Sequence, residues 1–420
     1  IYSIPKSGYY VSDLSGIPVH QTEYTSETYE AEEQGTDSRT AKAGDKVLLT
    51  GGENAFIADF TSNQTEHAAF PFSIWNKTMR AVMNDYQEEM MINPPCGGVM
   101  ELRKSISSYL KEFCAMYVRP EQIIIGAGTE YLYSILIQLL GRNVCYGVEN
   151  PGYPKIAKIY RSMGVKYEYI DLDEEGTSAK KLEEKKVDIM HISPSHHFPT
   201  GMVMPISKRY ELLGWVTRKK ERYIIEDDYD SELRLAGKPI PSLQSIDVSG
   251  KVIYINTFAK TLCSTVRISY MVLPEALAEK YYRELSFYSC TVSNFEQYTL
   301  AAFMNAGAFE KHINRLRNYY QHKRDLILST FLREPLGKYI TISEEDSGVH
   351  FLMHVNTSMS EQEFLLKTRA KGIRLATLSS FYNAEQKDSR YENTYVMNYS
   401  FVDCDRLEYV AQTLYKIIHP

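Results

Sequence analysis

Lys260 stands just beyond an apolar run, Val252-Ile-Tyr-Ile255, with Thr257 three residues before it and Arg267 seven after. A lysine delivered by a strand end into a closed site loses solvation of its charged form. That lowers its pKa and frees the amine to attack an aldehyde. Thr257 brings a hydroxyl and Arg267 a planar fork of donors, two kinds of group that hold a phosphate. A lone lysine at a strand end most often snorkels to water, so other segments must carry the argument.

One such segment is Tyr223-Ile-Ile-Glu-Asp-Asp-Tyr-Asp-Ser-Glu-Leu-Arg234, an apolar strand that ends in acids and a tyrosine. Open α/β sheets bind ligands at such strand ends. A carboxylate facing a pyridine nitrogen keeps it protonated and makes the ring an electron sink. Asp227 and Asp228 both suit that role, and Tyr229 is placed to bond a phenolic oxygen on the same ring. Gly126-Ala-Gly-Thr-Glu130 follows the short strand Ile123–Ile125 and opens a helix. Its backbone N–H groups and helix dipole favour a phosphate, with Gly128 and Thr129 at the turn. It lacks both the Gly-Lys-Ser/Thr of a P-loop and the third glycine of a dinucleotide fingerprint.

Tyr153, in the turn Glu149-Asn-Pro-Gly-Tyr-Pro154, can stack on a flat ring. His196 and His197, neighbours on an extended stretch, point to opposite faces and are poor joint metal ligands, so no metal site is expected.

These residues need strands to deliver them. Val144–Val148, Val165–Ile170, Val187–Ile192, Tyr223–Ile225, Val252–Ile255 and Ile268–Leu273 are nearly continuous in apolar or β-branched residues. Such runs suit strands buried on both faces of a mostly parallel sheet. Helical periodicity in Glu101–Met116 and Tyr131–Leu140 makes this an α/β layer structure. Beyond Leu273 the pattern predicts long helices over Tyr281–Ala306 and Ala308–Phe331. Strands near Gly348–His354 and Asn393–Phe401 and a last helix, Arg406–Ile418, complete a smaller α+β domain. At the other end, Ile4-Pro-Lys-Ser-Gly-Tyr-Tyr-Val11 suits a turn ending in a short strand, and the polar run 21–45 reads as a linker or mobile arm. The expected layout is 1–52 as strand remnant and arm, 53–285 as the large domain and 286–420 as the small one.

With 420 residues, 44% of them hydrophobic, the chain can bury a large core. A net charge of −6 leaves no basic surplus for neutralising nucleic-acid phosphates. The six cysteines are dispersed with no C-x-x-C pair, as in reduced thiols of a cytoplasmic protein. The longest apolar stretches, such as Leu132–Leu140, fall short of the roughly 18 residues needed to span a bilayer.

Taken in order, these segments resemble the aminotransferase-like domain of the MocR family, within the GntR superfamily of bacterial regulators. Thr-Phe-Ala-Lys-Thr-Leu at 257–262 with Arg267 is similar to the family's lysine stretch and phosphate arginine. Glu226-Asp-Asp-Tyr-Asp-Ser-Glu232, Pro194-Ser-His-His-Phe-Pro-Thr-Gly201 and Asn150-Pro-Gly-Tyr153 match its other signatures, and Phe70-Pro71, Trp75 and Leu102-Arg103 fit the pattern before the phosphate turn.

The resemblance implies fold type I, a pyridoxal 5'-phosphate cofactor and a site at a homodimer interface. Lys260 would hold the cofactor as a Schiff base, Asp227 would pair with the pyridine nitrogen, and Tyr229 would bond the phenolic oxygen. Tyr153 would stack on the ring, while Gly128, Thr129, Thr257 and Arg267 would hold the phosphate. The opening segment looks like the closing wing of a winged helix whose helix-turn-helix would precede Ile1, so DNA would be met only through that missing part. The implied function is that of a regulator's effector domain, in which a small amino compound displaces Lys260. A working aminotransferase is the alternative.

Three positions depart from the family pattern. Ala259 replaces a serine, Glu130 stands where glutamine is common, and Val396 in Val396-Met-Asn-Tyr-Ser-Phe401 replaces the arginine that binds a substrate carboxylate. Arg374 or Arg390 would then have to supply that charge, or the ligand differs.

Overall fold

The structure is a computed structural model that describes residues 2–4, 8–10, 56–235, 240–346, 348–383 and 391–419. The chain divides into two units, Ile1–Asn54 and Ala55–Pro420. In the first, Tyr2–Ile4 and Gly8–Tyr10 pair antiparallel, with Tyr2 opposite Tyr10 and Ile4 opposite Gly8. That is a two-stranded ribbon, where the sequence led us to expect one short strand after a turn. The polar run 21–45 lies outside the described residues.

The second unit is built on a seven-stranded sheet. Its strands are β1 (Ile123–Gly126), β2 (Tyr146–Asn150), β3 (Tyr167–Asp171), β4 (Ile189–Ile192), β5 (Tyr223–Asp227), β6 (Val252–Thr257) and β7 (Ser269–Val272). They lie in the order β1-β7-β6-β5-β4-β2-β3. Only β7 runs against its neighbours, pairing antiparallel with both β1 and β6. The carboxyl ends of the other six therefore share one edge. Every residue of β1, β4 and β6 is buried, which is why these segments read as unbroken apolar runs.

Helices α1 (Phe72–Asp85), α2 (Met100–Cys114), α3 (Thr129–Leu140), α4 (Glu275–Glu284), α5 (Asn294–Asn305) and α6 (Ala308–Phe331) frame the site. The sequence predicts one helix over Tyr281–Ala306. The structure corrects this to α4 and α5 with a break between them. The intervening Ser, Thr and β-branched residues compete with the helix for backbone partners. Ser293 caps α5 by accepting from the Phe295 N–H at 3.2 Å, and the Asn294 side chain donates to the carbonyls of Glu89 and Ile92 at 3.0 and 2.7 Å.

One apolar cluster joins Trp75, Leu102, Ile123, Leu262, Phe303, Phe309 and Ile313. Another joins Phe60, Leu316, Tyr320, Phe331, Phe351, Tyr395 and Leu414. Helix α6 thus contributes its first turns to one core and the rest to the other. The second core is backed by an antiparallel sheet, β8 (Ile340–Ser343), β9 (His350–Val355), β10 (Ala376–Thr377) and β11 (Thr394–Asn398), in the order β8-β9-β11-β10. Ala58–Asp59 pairs in parallel with Ile373–Arg374 and ties the start of this unit to the chain just before β10.

Ile255 is fully buried in β6, the strand that leads to Lys260. Ile255→Ala is expected to lower unfolding stability by about 2–5 kcal/mol in urea denaturation, through lost burial and a residual cavity. A loss under about 1 kcal/mol would contradict the packing of this strand.

Candidate active site

Strand β6 ends at Thr257, and the chain turns there. The Ala259 N–H donates to Thr257 Oγ1 at 3.2 Å, and Ser269 Oγ donates to the same oxygen at 2.8 Å. The turn carries Lys260 back over the sheet edge, where its Nζ donates to Asn63 Oδ1 at 2.7 Å. Burial pushes the amine's pKa below the ordinary lysine range, against the pull of Asp230's charge. The same Asn63 oxygen accepts from Asn398 Nδ2 at 2.6 Å, so strand β11 also reaches this point.

The acids at the end of β5 separate by the alternation of a strand. Glu226 turns away, accepting from the N–H groups of Leu243 and Gln244 at 2.8 and 2.9 Å. Burial raises its carboxyl to about 7. Asp228 is also engaged elsewhere, accepting from Ser231 Oγ at 2.7 Å and the Tyr254 hydroxyl at 2.8 Å. Asp227 lies between them and accepts from the Tyr133 hydroxyl. His191 Nε2 stands 3.5 Å from the same carboxylate, and its ring is set by Tyr160 at 2.9 Å. The other oxygen of Asp227, Oδ1, is buried with no partner.

Next along the chain, the Tyr229 hydroxyl lies 3.3 Å from His196 Nδ1, which meets Asp230 at 2.8 Å. His197 faces elsewhere, 2.7 Å from Thr200 and 3.5 Å from Glu149. Burial, helped by His196, drives its pKa to about 3. The two histidines therefore point apart.

At the end of β1, Gly128 adopts φ +91°, and a Cβ there would overlap the guanidinium of Arg267. Only glycine fits so close an approach. Thr129 begins α3, and the Ala127 N–H donates to Thr291 Oγ1 at 2.9 Å, so the break between α4 and α5 delivers a hydroxyl to this turn. Glu130 points inward and pairs with both Arg267 and Lys155. Its partial burial opposes ionisation, but these two bonds hold its carboxyl below the usual range. Tyr153 is 44% exposed, its ring edge-on to Phe198 at 5.9 Å.

Val396 sits in an apolar group with Leu352 and Leu378, packed by Phe198, Phe381, Tyr382 and Tyr391. Arg374 pairs with Asp59 at 3.5 Å and lies over the Phe56 ring, while Arg390 lies outside the described residues.

Sequence reasoning missed Asn63, Tyr133, His191, Thr291, His350 and Asn398. Tyr133 follows Thr129 by one helical turn, so that spacing could have found it. The others arrive from distant segments and left no local signal.

A group carrying a ring cation and a phosphate fits these residues on two observations: Asp227 Oδ1 is a buried acceptor awaiting a donor, and the Gly128 turn brings backbone against a guanidinium.

Residues 57–390 match the family described as aminotransferase class I and II. The chain is 38% identical over 330 residues to an uncharacterised HTH-type transcriptional regulator, YdeL, of Bacillus subtilis, covering 79% of this chain and 71% of that protein. It is 30% identical to the probable rhizopine catabolism regulatory protein MocR of Rhizobium meliloti, covering 76% of this chain and 65% of that protein. A solved kynurenine aminotransferase of Pyrococcus horikoshii superposes with a TM-score of 0.73 at 22% identity, covering 87% of this chain and 91% of the other, and shows the shared fold. The fold is fold type I, and the cofactor of the family is pyridoxal 5'-phosphate. The chain belongs to the aminotransferase class I and II family, on its branch of MocR-type helix-turn-helix transcriptional regulators.

Proposed function

We propose that this chain is the sensor of a transcriptional regulator, holding pyridoxal 5'-phosphate on Lys260 and receiving a small primary amine there. One observation carries the reading. The ends of β1, β5 and β6 bring a glycine turn with Arg267, a buried carboxylate with an unserved oxygen, and a lysine amine of lowered pKa to one sheet edge.

When bound, the cofactor supplies an aldehyde that condenses with primary amines and a ring that draws electrons from the bond so made. Lys260 would hold it through its amine, whose lowered pKa suits that role. Asp227, whose other oxygen accepts from Tyr133, would face the ring nitrogen; Asp228 is engaged by Ser231 and Tyr254, which favours Asp227 for that role. Tyr229 would meet the phenolic oxygen and Tyr153 would cover the ring. Gly128, Thr129, Thr257 and Arg267 would hold the phosphate, and Glu130 would have to release Arg267 for this. That pair is half exposed, so separating it costs little. The relative YdeL is named an HTH-type regulator and this chain has a net charge of −6, which together support DNA contact through a helix-turn-helix module and not through these residues. We also assign the working form as a homodimer.

The lowered pKa of Lys260 favours a second reading, aminotransferase turnover. Once displaced, a neutral Nζ can take a proton from the substrate carbon. Sustained conversion of an amine and a keto acid would support it.

Two outcomes are expected. Lys260→Ala should keep its folded circular dichroism but lose the borohydride-fixed cofactor that the parent chain retains in mass spectrometry. Cofactor fixed at another residue would refute the assignment.

Glu149 supplies the second. Burial raises its carboxyl to about 8 against the bonds from Ser193 and Thr177, while an unfolded glutamate titrates near about 4.3. Its folded pKa is raised, so its contribution to stability is full below the unfolded value and is lost as pH rises toward 8. In Glu149→Gln, unfolding free energy measured from about pH 5 to 8 should fall less steeply than in the parent, by about one proton. Parallel slopes would show that this carboxyl is not buried as described.

A further inference from the structure

A buried histidine is joined to the acid–tyrosine end of β5. His196 lies on the stretch that follows β4, the parallel neighbour of β5. Its Nδ1 stands 2.8 and 3.0 Å from the two oxygens of Asp230, which is also buried. A carboxylate only accepts, and imidazole is the stronger base, so the hydrogen between them sits on Nδ1. The Tyr229 hydroxyl lies 3.3 Å from that same nitrogen. Its oxygen therefore meets an N–H that already serves Asp230 and can only accept from it. The phenol's own hydrogen must point elsewhere. Burial, with the charges of Asp230 and Asp227 beside it, keeps that phenol protonated by raising its pKa well above the ordinary range. A buried hydroxyl so held is a donor awaiting an acceptor. The phenolic oxygen of the cofactor is the acceptor that the function proposed above brings to it.

The histidine is fixed from several sides. The Tyr229 ring stacks on it at 6.0 Å, and the His350 ring of β9 packs against it at 4.6 Å. The turn before β9 presses backbone onto the pair as well. Gly348 has φ +64°, and a Cβ there would overlap both the His196 ring and the Asp230 carboxylate. That turn is pinned in its place, with the Gly348 N–H donating to the Leu233 carbonyl at 3.2 Å and the Tyr399 hydroxyl to the Gly348 carbonyl at 2.8 Å. Asp227, Asp228 and Glu149 also act on Tyr229, and His197, His350 and Glu344 face His196. Lys260 lies within reach of the charge on Asp230. Among the described residues, Asp230 and Tyr229 are the groups that meet Nδ1.

We propose that His196, oriented by Asp230, is a positioning residue that turns the Tyr229 hydroxyl into a donor toward the phenolic oxygen of the bound cofactor. The inference rests on the cofactor-holding role proposed above. A hydrogen bond given to a deprotonated oxygen favours that form. The visible band of the Lys260-bound cofactor should therefore titrate at lower pH with this donor in place, and at higher pH without it.

The test reads the pH midpoint of that band in the chain loaded with pyridoxal 5'-phosphate, with folding followed by circular dichroism. Tyr229→Phe should raise the midpoint by about one unit. His196→Gln, whose amide nitrogen falls near the Nε2 position, should raise it by at least half as much. His196→Asn, whose amide nitrogen falls at the Nδ1 position and can serve both Asp230 and Tyr229, should keep it near the parent value. In the Tyr229→Phe background, His196→Gln should add nothing. An unmoved midpoint in His196→Gln, an equal shift in both His196 variants, or a full further shift on top of Tyr229→Phe overturns the proposal while leaving the cofactor on Lys260. If His196→Gln does not fold, nitrogen NMR shifts of the His196 ring in the loaded parent decide. A hydrogen on Nδ1 supports the proposal, and a bare Nδ1 with the hydrogen on Nε2 overturns it. Absence of any Lys260-dependent cofactor band is a different failure, which removes the function proposed above and this inference with it.

Discussion

A carboxylate oxygen buried at the end of a parallel strand without a donor is destabilising by about 1–3 kcal/mol or more. Asp227 Oδ1 is such an oxygen. The rest of the site is arranged around keeping it available. Tyr133 occupies the other oxygen and fixes the carboxylate's direction, with His191 Nε2 3.5 Å away and the His191 ring set by Tyr160. Asp228 and Glu226, on either side, are tied to hydroxyls and backbone N–H groups. Strained or unsatisfied positions tend to concentrate where a ligand completes them. The acid at this strand end is incomplete in that sense, and a protonated ring nitrogen is the kind of donor that completes it.

The elements that position the site were largely legible in the sequence because burial on both faces leaves a continuous apolar signature. The strands expected at Val187–Ile192, Val252–Ile255 and Ile268–Leu273 all form, and the helix expected over Ala308–Phe331 has those bounds. The break between α4 and α5 was not legible. Its cause is a cap and an Asn294 side chain bonded to carbonyls about two hundred residues away in the chain, and periodicity does not register such partners. The same holds for Asn63. Nothing around it marks a site residue, and long-range ties such as the pairing of Ala58–Asp59 with Ile373–Arg374 bring it to Lys260. Adjacent acids at 226–228 could not be separated by composition, since their roles depend on which face of β5 each occupies.

Asn63 also joins parts of the molecule that the sequence keeps apart. Its single side-chain oxygen accepts from the lysine at the end of β6 and from Asn398 in the small sheet. The backbone beside it is bonded to that sheet as well, with the Asn398 N–H donating to Phe60 carbonyl at 2.9 Å and Ser400 Oγ to Ser62 carbonyl at 3.3 Å. Displacing Lys260 would remove one of two donors from an acceptor shared with strand β11. A ligand shifts a conformational equilibrium only through contacts that differ between states. This shared oxygen is a contact that necessarily differs between a chain with its lysine in place and one with it released.

Glu130 shows how far a family pattern transfers. From sequence, an acid beside a phosphate turn is unfavourable unless it points away. In the structure it points inward and takes the fork of Arg267, with Lys155 as its second partner. An anion arriving at the Gly128 turn therefore competes with a resident carboxylate for the same guanidinium. Lys155 bears on that balance, because it gives Glu130 a second cationic partner besides Arg267. The local charge is then two cations against one carboxylate and the incoming anion, together with the N–H groups of the turn. An acid at this position is compatible with phosphate binding because a lysine from the next helix stands beside it, and that lysine, not the acid alone, is the feature to read.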